Sequence, residues 1–321
     1  MDLTRVLHHP FLDDTVPLPL DVPFTARTAA ENGVGRRDLA ALVAAGLLRH
    51  PIRNCYVSAA IPDDILTRCA CLRLVVPPDA IVVDRHAGWL LGAEMLLLPN
   101  EHLSALPLAM DLPLGRGRLR NKLVDGGQRL LLPRDITEVH GVRVTTPLRT
   151  ALDVGRQRWP EPAITALDAL HRLDAFSVAE LLHEVDRFKK MRWVTTLREV
   201  APHTDGRSQS GGESVIRWKW QQLPVAPPEP QVEVRSYGRL AFIDVGNGDV
   251  RAGVEYDGAE WHSAQIDRDH DETRRTWLDE DADWVIEPLV CADVYGPQQR
   301  VEDAIFAVMA EAVRRTRKRG A

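Results

Sequence analysis

Lysine is scarce in this chain: Lys122, Lys189, Lys190, Lys219 and Lys318 are the only five among 40 basic residues, so arginine carries most of the positive charge. Cysteine is equally sparse. Cys55, Cys69, Cys71 and Cys291 do not make a disulfide framework, and Cys69-Ala70-Cys71 lacks the second ligand pair of a zinc site, so reduced structural thiols are expected. No run of about twenty apolar residues is present to span a bilayer. The start Met1-Asp2-Leu3-Thr4-Arg5 lacks the basic and apolar regions of a signal peptide. The sequence therefore predicts a cytoplasmic protein with no membrane partner. Internal repeats and low-complexity tracts are also missing.

The net charge of −6 weighs against a general nucleic-acid binder, whose affinity comes from Lys and Arg neutralising phosphates. The distribution of charge says more than its sum. Arg36, Arg37, Arg49, His50 and Arg53 form one group, Arg116, Arg118, Arg120 and Lys122 a second, and Arg314, Arg315, Arg317, Lys318 and Arg319 a basic tail. That tail also suits a helix C-terminus, where cations complement the dipole. Acidic excess gathers partly at Asp279 to Asp283. A length of 321 residues with 45% hydrophobic content supports two or three domains with ample core.

The chemistry-bearing pattern is near the C-terminus. Asp244 sits in the apolar run Leu240-Ala241-Phe242-Ile243-Asp244-Val245, and Glu255 and Asp257 follow in Val254-Glu255-Tyr256-Asp257. Gly246-Asn247-Gly248-Asp249 between them predicts a β-hairpin, with Glu255 and Asp257 on one face. Like charges in a half-buried sheet are costly unless a cation relieves them, and hard oxygen ligands favour magnesium or manganese. Two registers are open. A two-residue Asn247-Gly248 turn pairs Asp244 with Arg251 and leaves the acids about 13 Å apart along the ladder. A turn over Gly248 to Arg251 sets Asp244 opposite Glu255. Glu213 follows Ser210 by three and opens a segment with Ile216, Trp220 and Leu223 at helical spacing, so it is either a capping-box acid or an added group near the metal. Asp267, Asp269, Asp271 and Glu272 suit a solvated helix face, with Asp271 and Arg274 as an i, i+3 surface pair.

The pattern Asp244, then Glu255-x-Asp257-Gly258-x-x-Trp261-His262, resembles the very-short-patch-repair-like branch of the PD-(D/E)xK nucleases. The likeness extends to Ser210-x-x-Glu213-Ser214-x-x-Arg217 and to Asp271-x-x-Arg274-x-x-x-Leu278, about the last third of the chain. It implies a magnesium- or manganese-dependent DNA endonuclease. Asp244, Glu255 and Asp257 would hold the metal, His262 would act as general base or acid, and Glu213 would lie in an outer shell. Two positions depart from the family pattern: Ile243 replaces the proline, and Asp257 replaces the lysine two residues after the glutamate.

At the other end, Thr25 and Gly33 bracket a short helix, Arg36 to Ala45 reads as a second, and Leu47 to Val57 as a β-wing tipped by Arg53-Asn54. The stretch resembles the winged-helix domain of AbiEi antitoxins of type IV toxin–antitoxin systems. That resemblance implies DNA recognition through Arg36, Arg37, Arg49 and Arg53, and a toxin partner. The segments Ile81 to Gly92 and Val142 to Asp153 also resemble AbiEi-like proteins. Each reads as a strand leading into a helix, the first capped by Asp84 and the second by Thr146 before Pro147, with Arg149 and Asp153 positioned to pair. Helices are expected from about Pro162 to Leu170 and from Val178 to Phe188, and the polar tract His203 to Gly212 reads as a linker.

The expected fold class is α/β, in three parts: a winged helix over 1–60, an α/β middle domain over 61–202, and a restriction-endonuclease-like domain with a central mixed sheet over 203–321. Two functions are carried forward: a DNA endonuclease serving defence or repair, and a non-enzymatic DNA-binding regulator or antitoxin built on a degenerate nuclease fold. A protein-interaction module is the third.

Overall fold

The computed structural model describes residues 6–93, 107–112, 115, 124–257 and 265–319. His262 and the Arg116 to Lys122 group lie outside the described residues. The chain is α/β and divides into two compact units, Met1–Val154 and Gly155–Ala321. The boundary expected at 202/203 thus falls inside the second unit.

In the first unit, helix α1 (Ala26–Glu31) begins where the Thr25 hydroxyl accepts the Thr28 N–H. It stops before Gly33, whose φ of +79° is the left-handed turn that a side chain would resist. Helix α2 (Arg36–Ala44) starts where the Asp38 carboxylate accepts the Gly35 N–H at 3.0 Å. Strands β1 (Leu48–Ile52) and β2 (Cys55–Ser58) then form the wing-like hairpin. Backbone bonds of 2.8 Å in both directions join Phe24 to Tyr56 and fasten the hairpin to the start of α1. Ala29, Val34, Leu39, Leu42, Leu47 and Leu48 make the small core beneath these elements.

The rest of this unit is a five-stranded mixed sheet. Helix α3 (Ile65–Arg73) precedes β3 (Ile81–Val82), helix α4 (Asp84–Leu91), β4 (Leu108–Asp111), β5 (Val124–Gly127), β6 (Ile136–Val139), β7 (Val142–Thr145) and helix α5 (Pro147–Val154); the strand order is β5-β4-β3-β7-β6. Thr146 caps α5 through the Arg149 N–H, as the Thr-Pro pair predicts. Asp84 does not cap α4. It is the first helical residue, with φ of +52°, and its carboxylate is taken by both arms of Arg129 at 2.7 and 2.8 Å. The distant guanidinium outcompetes the local cap because it offers a charge-assisted two-point bond. The expected Arg149–Asp153 pair is present at 2.8 Å and also engages Asp135.

The second unit opens with helices α6 (Pro160–His171), α7 (Val178–Glu184) and α8 (Val194–Val200). Helix α9 (Gly211–Gln221) then leads to strands β8 (Glu229–Ser236), β9 (Arg239–Asn247) and β10 (Ala252–Asp257), helix α10 (Gln265–Glu280), β11 (Val285–Val290), and helices α11 (Cys291–Tyr295) and α12 (Val301–Arg319). The sheet order is β11-β10-β9-β8, antiparallel except for the parallel β10–β11 pair. Val215, Ile216 and Trp220 of α9 and Ile305, Val308 and Met309 of α12 pack with Val245, Val254 and Leu289 of the sheet.

The His203 to Gly212 tract is bonded along its length and is no loose linker. The Asp205 N–H reaches the buried Asp168 carboxylate at 2.8 Å, the Gly206 N–H reaches His171, and Arg217 donates to the His203 carbonyl and the Ser208 hydroxyl. Arg217 and Asp168 are themselves a buried ion pair of 2.7 Å. Composition gave the tract a linker's polarity, while the charges that hold it come from α6, distant in sequence, and from α9, which begins within the tract itself. The basic tail is likewise occupied: Arg315 pairs with Asp279 and Glu311, and Arg319 with Asp283. The acidic stretch Asp279 to Asp283 thus meets the tail.

Candidate functional site

Backbone register builds the site. Ala252 pairs with Asn247, Gly253 with Gly246 and Val254 with Val245. The turn is therefore Gly248 to Arg251, and Asp244 falls opposite Glu255. Asn247 sets this turn, its side-chain oxygen accepting the Val250 N–H and its carbonyl the Arg251 N–H, each at 2.9 Å. Beyond Val254 the ladder gives way to a side chain: the Asp244 carboxylate accepts the Tyr256 N–H at 2.8 Å. On the other side of β9, Pro230 pairs with Val245 and Val232 with Ile243, which places Gln231 opposite Asp244. Gln231, Asp244 and Glu255 are thus abreast on three neighbouring strands.

Gln231 was not foreseen from the sequence. Its φ of +52° is the left-handed region, a strained conformation for a residue with a side chain inside a strand. Its amide donates to Glu213 at 2.9 Å and to Asp244 at 3.4 Å. The signal that would have found it is Tyr237-Gly238, with φ of +48° and +76°, the two-residue turn that joins β8 to β9 and fixes their register.

Glu213 comes from the first turn of α9. Ser210 caps that helix through the Glu213 N–H at 3.2 Å, but the Glu213 carboxylate does not close the box on Ser210. It accepts the Gln209 N–H at 2.8 Å and the Gln231 amide. The carboxylate therefore serves the helix entrance and the row of polar side chains together. Gly212 allows this approach. A methyl group there would lie 2.4 Å from the Tyr256 ring, so the bare glycine lets α9 seat against β10.

Glu255 is buried, and Arg274 of α10 covers it: Nη1 donates to Oε2 at 3.0 Å, and Nη2 lies 2.7 Å from Oε1 while donating to the Phe242 carbonyl at 2.6 Å. Arg274, expected as a surface partner of Asp271, thus extends to the sheet; the Asp271 side chain lies outside the described residues. Asp257 is half-buried and has Arg275 at 3.5 Å.

Burial pushes the Asp244 carboxyl up to about 7, repulsion from Glu213 and Glu255 adds to the rise, and the Tyr256 N–H and Arg274 oppose it. Such a shift marks a place where anions converge faster than cations compensate. Hard carboxylate oxygens under mutual repulsion suit a divalent cation. Among the described residues, no three acidic, histidine or cysteine side chains are gathered closely enough to hold an ion as they stand. The Gln231 amide and the Arg274 guanidinium lie against these carboxylates.

The arginines proposed for DNA differ among themselves. Arg36 and Arg37 are exposed at the start of α2, while Leu39 and Leu42 turn inward. Arg53 is half-buried at the hairpin tip. Arg49 is engaged by the Ile61 carbonyl and by Asp63 at 3.4 Å, so it holds the hairpin to the segment that follows. His50 stacks on Tyr56 with ring centroids 4.3 Å apart, and burial holds its imidazole below the usual value.

Among the described residues, no helix is long and apolar enough to cross a membrane. No known family model matches the chain. Two uncharacterized proteins of Mycobacterium tuberculosis, MT2308 of strain CDC 1551 / Oshkosh and Rv2248 of strain ATCC 25618 / H37Rv, are each 31% identical over 160 residues, 50% of this chain. The aligned part spans 59% of the length of either relative.

Proposed function

We propose that this protein is a metal-dependent DNA endonuclease whose N-terminal helix-turn-helix and hairpin bind the substrate DNA. The observation that carries the reading is the convergence of Glu213, Asp244 and Glu255 on one end of the β8–β9–β10 sheet, with Asp244 held protonated to about neutral pH by burial and by its two acidic neighbours. A bound magnesium or manganese ion would supply charge stabilisation and an activated water. Asp244 and Glu255 hold it in this reading, Asp257 orients the water, and His262 exchanges the proton. Glu213 restrains Asp244 through Gln231. In the first unit, Arg36, Arg37 and Arg53 are the cations for phosphate contact.

The regulator or antitoxin reading, with a toxin partner, has one observation in its favour. Asp257 stands where the nuclease pattern has lysine, and Arg275 beside it already has that acid as partner. A single assay separates the two. Purified protein is incubated with single- and double-stranded DNA in magnesium, manganese or EDTA. Metal-dependent cleavage that Asp244→Ala abolishes, with DNA binding retained, supports the endonuclease; DNA binding without cleavage of any form supports the regulator.

A further inference from the structure

We infer that Arg274 is an exchangeable counter-ion of the carboxylate site: its guanidinium holds Glu255 until a divalent cation arrives and takes over that carboxylate. The inference rests on the metal-site reading above and adds to it a residue that competes with the metal.

The geometry of the pair is the basis. An arginine that neutralises a carboxylate frequently forms two parallel hydrogen bonds with it. Arg274 forms one, from Nη1 to Oε2 at 3.0 Å. Its Nη2 is bonded instead to the Phe242 carbonyl at 2.6 Å, so Oε1 has the positive charge 2.7 Å away but no hydrogen bond. Glu255 is only 7% exposed, so Oε1 depends on that Nη2 charge, which lies close without the alignment of a hydrogen bond. An incoming cation bonds to Oε1 directly. The guanidinium would then be repelled from the shared carboxylate, while the Phe242 carbonyl retains its hold on Nη2.

The neighbouring partners agree with this division. Asp244 and Glu213 receive neutral donors, the Tyr256 N–H, the Gln209 N–H and the Gln231 amide. Glu255 is the acid of the three that a guanidinium covers, and it stands directly opposite Asp244. One cation at Glu255 and a second positive charge within a few ångströms repel each other strongly in a partly desolvated site. Removing the Arg274 charge must therefore favour the metal.

The test is manganese affinity, measured by titration calorimetry on full-length protein with no DNA present. The wild type should bind Mn²⁺, and Asp244→Asn should abolish that binding, which locates it. Arg274→Gln should bind Mn²⁺ about tenfold or more tightly, and Arg274→Lys, which keeps the charge, should stay near wild type and guards against a folding defect in the glutamine variant. Unchanged or weaker binding by Arg274→Gln, with Asp244-dependent binding intact in the wild type and in Arg274→Lys, overturns the inference and leaves the metal site standing. Absence of Mn²⁺ binding in every variant overturns the metal site, and this inference with it.

Discussion

Asp244 should destabilise the fold it belongs to, and replacing it with asparagine should show how much. Its carboxyl is pushed up to about 7 from the ordinary 3.8, so between those values the folded protein binds a proton that the unfolded chain has released. Stability then falls as pH rises through that window, because the native state holds the extra proton. At 1.36 kcal/mol per pH unit, the loss specific to Asp244 approaches about 4 kcal/mol at pH 8. Asparagine keeps an oxygen for the Tyr256 N–H but sets its amide against the Gln231 amide, a cost of about 1 kcal/mol. Asp244→Asn should therefore be slightly less stable than wild type at pH 4, cross it near pH 4.5, and exceed it by about 3 kcal/mol at pH 8. The assay is urea unfolding of both proteins in EDTA at several pH values, read as the difference in free energy. Saturating Mg²⁺ should raise the wild type and leave the variant unmoved, since only the former keeps the ligand. A difference that is flat with pH, or an asparagine variant that is weaker at pH 8, would refute the claim that Asp244 is held under repulsion.

Three further outcomes follow from the packing. Gly212→Ala should cost about 1–3 kcal/mol in urea unfolding, because the added methyl would enter the Tyr256 ring at 2.4 Å; no loss would mean that α9 seats differently against β10. Asp168→Ala or Arg217→Ala alone should each cost about 3–5 kcal/mol by stranding a buried charge, and a double-mutant cycle that finds no coupling would contradict the 2.7 Å pair. Arg36→Ala and Arg37→Ala should weaken duplex binding and each lower the salt slope by about one, whereas Arg49→Ala should chiefly lower stability, since its guanidinium is already held by Ile61 and Asp63. Equal effects of all three on the salt slope would place Arg49 on the DNA as well.

Much of the second unit was legible because its signals are local. The Asp244 and Glu255 strands and the Ser210 cap follow from alternation, spacing and cap chemistry. Register was not local. Both hairpin registers keep the apolar faces consistent, and the choice rests on Asn247, whose side chain bonds forward into a four-residue turn. Gln231 escaped because its place beside Asp244 depends on the β8–β9 register, which the Tyr237-Gly238 turn sets several residues away. Arg274 escaped because its spacing from Asp271 suits a helix surface pair, and nothing in a helical pattern tells which long side chain extends to a neighbouring sheet. At the N-terminal end, Thr25, Gly33 and Gly46 mark the helix limits plainly, with Gly46 at φ of +72°. Arg49 and Arg36 look alike in sequence, and only Asp63 and the Ile61 carbonyl separate them.

An excess of buried acid does not by itself distinguish a reactive site from a structural one. The first unit gathers Asp84, Asp111, Asp135 and Asp153 around Arg129 and Arg149, four carboxylates on two guanidiniums. Glu213, Asp244 and Glu255 share one, Arg274. Both groups are short of two positive charges if every acid is ionised. What differs is the kind of partner. Each aspartate of the first group touches a guanidinium, a permanent cation of the same unit. Among the described residues, Glu213 and Asp244 take their hydrogen bonds from neutral amides alone, which orient a carboxylate without cancelling its charge. Oxygens held in place but left under repulsion are what a hard cation seeks, so the second group, and not the first, is where added metal should raise stability.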